Sequence, residues 1–284
     1  MNKYKYKPIT FYVFTYIFTW AFWISAAILG KDKKNFALSM VLMVFGLLVP
    51  AVVAFIMVRR SKCEVLQKDY RNKLVGFYRV NWLNLIVGAV LFGIVIAASI
   101  LVSTMFGESL DQFSFVGGFS FSIGSAPTLL VLVLTSAFEE LGWRGYAEDS
   151  IAFHMDWHKE SWLFGVVWAL WHLPLFFIPN TYQANILAMS PWYMVNFFVS
   201  AIPLGFFLTW IYVKNKRSIF ACIIVHFFVN FFQEQIAMTQ KTKCVETFVL
   251  SLVCVGIVWK NRDMFFETRH VGDIDNFVNE NQTA

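Results

Sequence analysis

Three clusters of residues stand where an apolar chain should have nothing ionisable: Glu139, Glu140 and Arg144 in "EELGWR", His172 in "WALWH", and His226 with Asn230 in "HFFVN". A carboxylate beside an imidazole can take a proton from water, and histidine and asparagine can donate hydrogen bonds to a developing oxyanion. Those are the parts of a hydrolase acting on amide or ester bonds. Spacing separates their roles. Glu140 and Arg144, four residues apart, share one helical face and suit an ion pair, whereas Glu139 projects about 100° away and is left for chemistry. His226 and Asn230, also four apart, project together.

These residues lie inside long apolar runs. The chain of 284 residues is 58% hydrophobic, 19% aromatic and only 14% charged, against about 25% charged in ordinary soluble domains. Runs long enough to cross a bilayer recur at about 9–29, 36–58, 82–105, 125–143, 161–178, 192–213, 218–238 and 245–260, the last being the shortest. We therefore expect an all-α polytopic membrane protein, a bundle of about eight transmembrane helices forming one domain over 1–260. Residues 261–284, polar and acidic, are expected to form a disordered cytoplasmic tail. The first run is longer than the h-region of a secretory signal, so a retained first helix is expected.

Basic residues set the orientation. With both termini cytoplasmic, only Lys31, Lys33, Lys34, Lys241 and Lys243 of the 23 lysines and arginines fall on the far side. The formal charge of +5 thus reads as topology and not as a nucleic-acid footprint. A charged group at a helix centre costs about 2.5–3.5 kcal/mol, so intramembrane Glu, Arg and His are expected to pair, face inward and act. Counted from the cytoplasmic helix ends, Glu139, His172 and His226 lie at similar depths, about 10–16 Å. Cleavage near the cytoplasmic face is the expectation.

Pro127 suits a helix start, and Pro174 and Pro203 should kink the spans that contain them. The connector "GYAEDSIAFHMDWHKES" reads as an interfacial segment; His154 and His158 within it have metal-ligand spacing without an identifiable third ligand. The cysteines Cys63, Cys222, Cys244 and Cys254 show no CxxC spacing, and no disulfide framework is implied. HExxH, a P-loop and GxGxxG are absent, "GGFSFS" lacks the closing glycine of a rhomboid-type motif, and "VGD" in the tail is not within a span. Glu234, near a span end, is expected at the interface.

At its polar residues the chain resembles the CAAX protease and bacteriocin-processing family of intramembrane proteases, and is similar to Ras-converting CAAX prenyl endopeptidases. The family's EExxxR matches Glu139, Glu140 and Arg144, its FxxxH corresponds to Trp168 and His172 with Trp in place of Phe, and its HxxxN matches His226 and Asn230. The motifs fall within 128–232. The resemblance implies an eight-helix bundle in which Glu139 and His172 activate water, His226 and Asn230 stabilise the oxyanion, and Glu140 and Arg144 support them. Trp168 is expected to affect packing and not proton chemistry. No cofactor is required by this mechanism. Zinc is the alternative, with Glu139, His172 and His226 as its ligands.

The function implied is an endopeptidase acting on a membrane-associated or CAAX-like peptide or protein, with bacteriocin immunity or peptide maturation as settings and a bacterial plasma membrane as location. Partners would be that substrate and the bilayer, with no nucleic acid. Two other readings use the same residues: a non-catalytic immunity or scaffold protein of the same fold, and a proton-coupled transporter.

Overall fold

The computed structural model describes residues 4–116, 128–267 and 274–283. Among them there is no β-strand, only an isolated bridge between Phe115 and Ile236. The helices are α1 Pro8–Leu29, α2 Phe36–Arg60, α3 Glu64–Val75, α4 Trp82–Ser103, α5 Thr128–Gly142, α6 Glu148–Ala152, α7 Trp157–Trp171, α8 Tyr182–Met189, α9 Pro191–Lys214, α10 Ile219–Gln235, α11 Gln240–Lys260, α12 Arg262–Phe266 and α13 Ile274–Thr283. Among the described residues six stretches are long and apolar enough to cross a membrane, and α10 is a shorter apolar helix. The short run at 245–260 belongs to a complete 21-residue helix, α11. The protein is thus an all-α polytopic membrane protein.

Apolar side chains face outward along these helices, among them Phe14, Phe45, Phe55, Leu101, Phe248 and Trp259, as lipid contact requires. With lipid outside, apolar burial cannot drive helix association, and close packing plus interhelical hydrogen bonds take over. The α1–α2 pair is stitched by Thr19 Oγ1 to the Gly46 carbonyl at 3.1 Å, Trp23 Nε1 to the Met43 carbonyl at 2.9 Å and Ser39 Oγ to the Ala26 carbonyl at 2.8 Å. At the α7–α9 crossing Gly165 and Gly205 meet: a Cβ on Gly165 would lie 2.8 Å from the Ile202 Cα.

Several expectations change. Pro174 does not kink a continuing helix: α7 ends at Trp171 and a 3₁₀ turn, Leu173–Phe177, takes over, because proline has no N–H to continue the ladder. Pro203 sits within unbroken α9, and Pro50 within α2. Residues 261–284 are not uniformly solvated. In α13, Ile274, Phe277 and Val278 are buried on one face, and Phe277 packs against Tyr6 and Phe153. Their i, i+3, i+4 spacing makes the segment amphipathic despite its polar composition. Pro127, "GGFSFS" and "VGD" lie outside the described residues.

The connector after α5 is the largest departure. It is not a loose surface segment: α5 runs into a π-helical turn, Trp143–Ala147, and every residue from Trp143 to Phe153 is buried. A carboxylate can be buried there because partners surround it. Asp149 takes hydrogen bonds from Lys73 Nζ at 2.5 Å, Tyr212 Oη at 3.0 Å and Arg217 Nε at 3.0 Å, with a further bond from Arg217 Nη2. Arg217 also bonds Asp69 at 2.6 Å. This cluster ties α3, α6 and the α9–α10 connection together at the end of the bundle opposite α8. Burial alone would raise the Asp149 carboxyl, but the Arg217 guanidinium and Lys73 ammonium hold it below the usual carboxylate range. Burial pushes the Lys73 ammonium down.

Candidate active site

Glu139 lies in the penultimate turn of α5, where the helix crosses α2. The approach there is close: a Cβ on Gly142 would lie 2.4 Å from Pro50 Cβ and 2.5 Å from the Pro50 carbonyl carbon. The Glu139 side chain turns away from that contact and accepts a hydrogen bond from Trp168 Nε1 at 2.8 Å. Trp168 is therefore more than packing. An indole donates where phenylalanine has no donor, so the substitution in the FxxxH pattern adds a fixed hydrogen bond to the carboxylate.

His172 follows Trp168 by one turn, at the end of α7, and its Nδ1 lies 2.8 Å from the Trp168 carbonyl oxygen. A carbonyl only accepts, so Nδ1 carries the proton and Nε2 presents a lone pair. Trp168 thus orients both groups: its indole fixes the carboxylate and its carbonyl sets the imidazole tautomer.

His226 reaches the same centre from α10. Its Nδ1 lies 2.7 Å from Glu140 Oε1, which also accepts from Arg144 Nη1 at 3.0 Å. Asn230, one turn on, donates through Nδ2 to Ser136 Oγ at 3.2 Å. The second amide hydrogen of Asn230 and the Nε2 of His226 are left for a ligand. All four groups, Glu139, His172, His226 and Asn230, line one cavity of about 580 Å³.

Sequence reasoning missed three contributors. Ser136 stands four residues before Glu140, so its place beside the motif was readable from spacing. Glu148 contacts Arg144 Nη2 at 3.2 Å, and Thr209 Oγ1 donates to Glu148 at 2.8 Å. Arg144 is thereby held between two carboxylates in the order Glu140, Arg144, Glu148. The i, i+4, i+8 pattern was visible, but only a helix continuing through the π turn makes it meaningful.

Among the described residues no group of three or more His, Cys, Asp and Glu side chains is arranged to hold a metal ion. Two of the would-be ligands already have protein partners, Glu139 with Trp168 and His226 with Glu140. His154 and His158 do not converge on a third ligand; His158 stacks on Phe266 at 4.5 Å. Cys222 and Cys254 are buried, Cys63 and Cys244 partly so, and all four are free thiols.

Comparison with known proteins bears on this geometry. A family model, type II CAAX prenyl endopeptidase Rce1-like, matches residues 121–232. CAAX prenyl protease 2 of Methanococcus maripaludis is 42% identical over 267 residues, which cover 94% of this chain and 98% of the relative.

The chain belongs to the Rce1-like CAAX prenyl endopeptidases.

Family membership makes the protein an intramembrane protease of the CAAX type and selects that reading over the scaffold and transporter alternatives. For an Rce1-like enzyme the direction of the cavity matters. Its lining uses Val131–Glu139 of α5, Tyr193–Leu204 of α9, His226–Glu234 of α10 and Gln240–Leu250 of α11. Because neighbouring helices alternate in direction, these stretches all lie toward the end of the bundle that carries α8. From Glu139, His172 and His226 the cavity extends toward α8, away from the basic segments around α3. Glu234, expected at an interface, lines the cavity.

Proposed function

We propose that this Rce1-like protein hydrolyses the peptide bond after a prenylated cysteine in a C-terminal CAAX box, using water activated by Glu139 and His172. The observation that carries the reading is the pair of bonds made by Trp168, which aim a carboxylate and an imidazole lone pair into one cavity. The similarity to CAAX prenyl protease 2 of Methanococcus maripaludis favours CAAX substrates over the bacteriocin peptides that the wider family resemblance allowed.

The steps follow from the groups present. Water is deprotonated by Glu139, with the Nε2 of His172 accepting its other hydrogen bond, and the hydroxide attacks the scissile carbonyl carbon. Negative charge builds on the carbonyl oxygen, where Asn230 Nδ2–H and the His226 Nε2–H stabilise it. His226 already donates through Nδ1 to Glu140, so a donor at Nε2 means an imidazolium, and the Glu140 carboxylate is placed to sustain it. As the C–N bond breaks, Glu139 returns its proton to the leaving amine, giving a carboxylate and a free amino terminus. Arg144, between Glu140 and Glu148, keeps Glu140 in place. The apolar lining contributed by Met43, Val44, Leu47 and Leu134 suits an isoprenoid chain.

The test is cleavage of a prenylated CAAX peptide by detergent-solubilised wild type and Glu139→Gln, read by mass spectrometry with a thermal melt as the folding control. The substitution removes the base and keeps the shape, so the rate should fall about 10²–10⁴-fold with the melt unchanged. A rate within twofold of wild type sinks the proposal. Dialysis of the wild type against a zinc chelator should leave the rate unchanged; loss on chelation with recovery on zinc would transfer water activation to a metal.

A further inference from the structure

Beyond the catalytic groups the cavity ends in a second polar cluster that the hydrolytic steps do not use. Lys243, in the first turns of α11, lines it with Tyr182, Gln233 and Gln240. The Lys243 ammonium donates to the Gln233 carbonyl at 3.2 Å and to Tyr182 Oη at 3.4 Å, and lies 4.8 Å from the centre of the Tyr182 ring. Among the described residues no carboxylate lies within 4.0 Å of it. Two acceptors leave one ammonium hydrogen. Tyr182 Oη in turn donates to Gln240 Oε1 at 3.1 Å, which leaves the amide nitrogen of this cavity-lining residue as a further donor.

A cation inside a membrane bundle is costly and is retained where it meets a charge of opposite sign. Two carboxylates face the same end of the cavity. Glu246 is occupied by the Gln233 amide at 2.6 Å, and Glu234 lines the wall. Lys243 acts on Glu246 electrostatically without forming an ion-pair contact, and its remaining ammonium hydrogen is the group placed to receive a ligand anion.

Distance supplies the match. From His226 to Gln233, whose carbonyl Lys243 holds, α10 advances seven residues, about 10 Å. A CAAX box has three residues after the cysteine, and three extended residues span about 10 Å. We propose that Lys243, assisted by Gln240, binds the free C-terminal carboxylate of the substrate, so that the site measures three residues from the scissile bond to the chain end. The proposal rests on the CAAX reading above and adds to it the group that recognises the terminus.

The experiment compares two prenylated peptides of one sequence, one ending in a free carboxylate and one in an amide, on the full-length protein. Wild type should show a KM about ten- to hundredfold higher for the amide, the range of a charge-assisted hydrogen bond, with kcat little changed. Lys243→Met should give the carboxylate peptide that same high KM and lose the distinction between peptides; Lys243→Arg should restore it. Equal KM for the two peptides on wild type overturns the proposal without relying on any variant folding, as does full discrimination by Lys243→Met. Binding of the matching tripeptide acid and tripeptide amide to wild type is measured alongside. If neither long peptide is cleaved, the CAAX reading fails, while the tripeptides still decide the carboxylate site: tighter binding of the acid supports it and equal binding overturns it.

Discussion

At the scale of single residues, Trp168 occupies the position with most influence over the proposed chemistry. Its indole holds one carboxylate oxygen of Glu139 and its carbonyl holds His172 Nδ1, so one residue aligns base and imidazole together. Trp168→Phe keeps an aromatic ring and the backbone carbonyl while removing the N–H. We expect kcat to fall about ten- to hundredfold with KM and the thermal melt nearly unchanged, since a hydrogen bond to a charged group contributes about 1.5–3 kcal/mol. An unchanged kcat would show that the indole only packs. That Glu139, His172, His226 and Asn230 would come together, as they do on one cavity, was legible because ionisable and amide groups are conspicuous in apolar helices. The donor role of Trp168 was not, because a buried tryptophan in an aromatic-rich sequence carries no mark of where its N–H points.

At the scale of elements, the site depends on how closely α5 approaches α2. Gly142 faces Pro50, and nothing larger than hydrogen fits between them. Gly142→Ala would force α5 off α2, moving Glu139 and Glu140 together, and should destabilise the fold by about 1–3 kcal/mol. A melt lowered by several degrees together with lost cleavage is the expected outcome; a wild-type melt would mean that α5 shifts freely. Helix existence was readable from apolar run length, and the i, i+4 pairing of Glu140 with Arg144 from spacing. Helix ends were less so: Pro174 terminates α7 where a kink was expected. The burial of the segment after α5 was not legible because its Glu148 and Asp149 look solvated when taken alone. Their partners, Thr209, Tyr212 and Arg217, are more than 60 residues away, and no local pattern announces them.

At the scale of the whole molecule, charge and cavity point to opposite ends of the bundle. The basic segments surround α3, and the cavity runs toward α8. If the charge asymmetry governs insertion, Cys63 beside α3 should be shielded from a membrane-impermeant thiol reagent in intact cells, and Cys244 in α11 should be labelled. The reverse labelling would put the peptide cavity on the cytoplasmic side and overturn the orientation drawn from lysine and arginine positions. Stability should carry the mark of the cluster at the α3 end. The folded-state pKa of Asp149 is lowered by Arg217 and Lys73, so its contribution is present above the unfolded value near 3.9 and is lost as pH falls through the folded one. Asp149→Asn should destabilise the fold at neutral pH by about 3–5 kcal/mol for a broken buried pair, lowering the melt, and flatten the decline of the melt below about pH 4. A variant that melts and acidifies like wild type would show the cluster to be stability-neutral.

The same cluster constrains how the chain is made. Asp149 is paired with Lys73, which the ribosome has already passed, and with Arg217, which lies 68 residues ahead of it. During synthesis Asp149 must therefore wait, attended only by Lys73, until the α9–α10 connection has been translated. Until then α6 has no complete seat, and the π turn that places Arg144 has no reason to persist. The cluster can be completed only after residue 217 has been translated, so nascent chains stalled before it are expected to expose the α5–α7 connector to proteolysis.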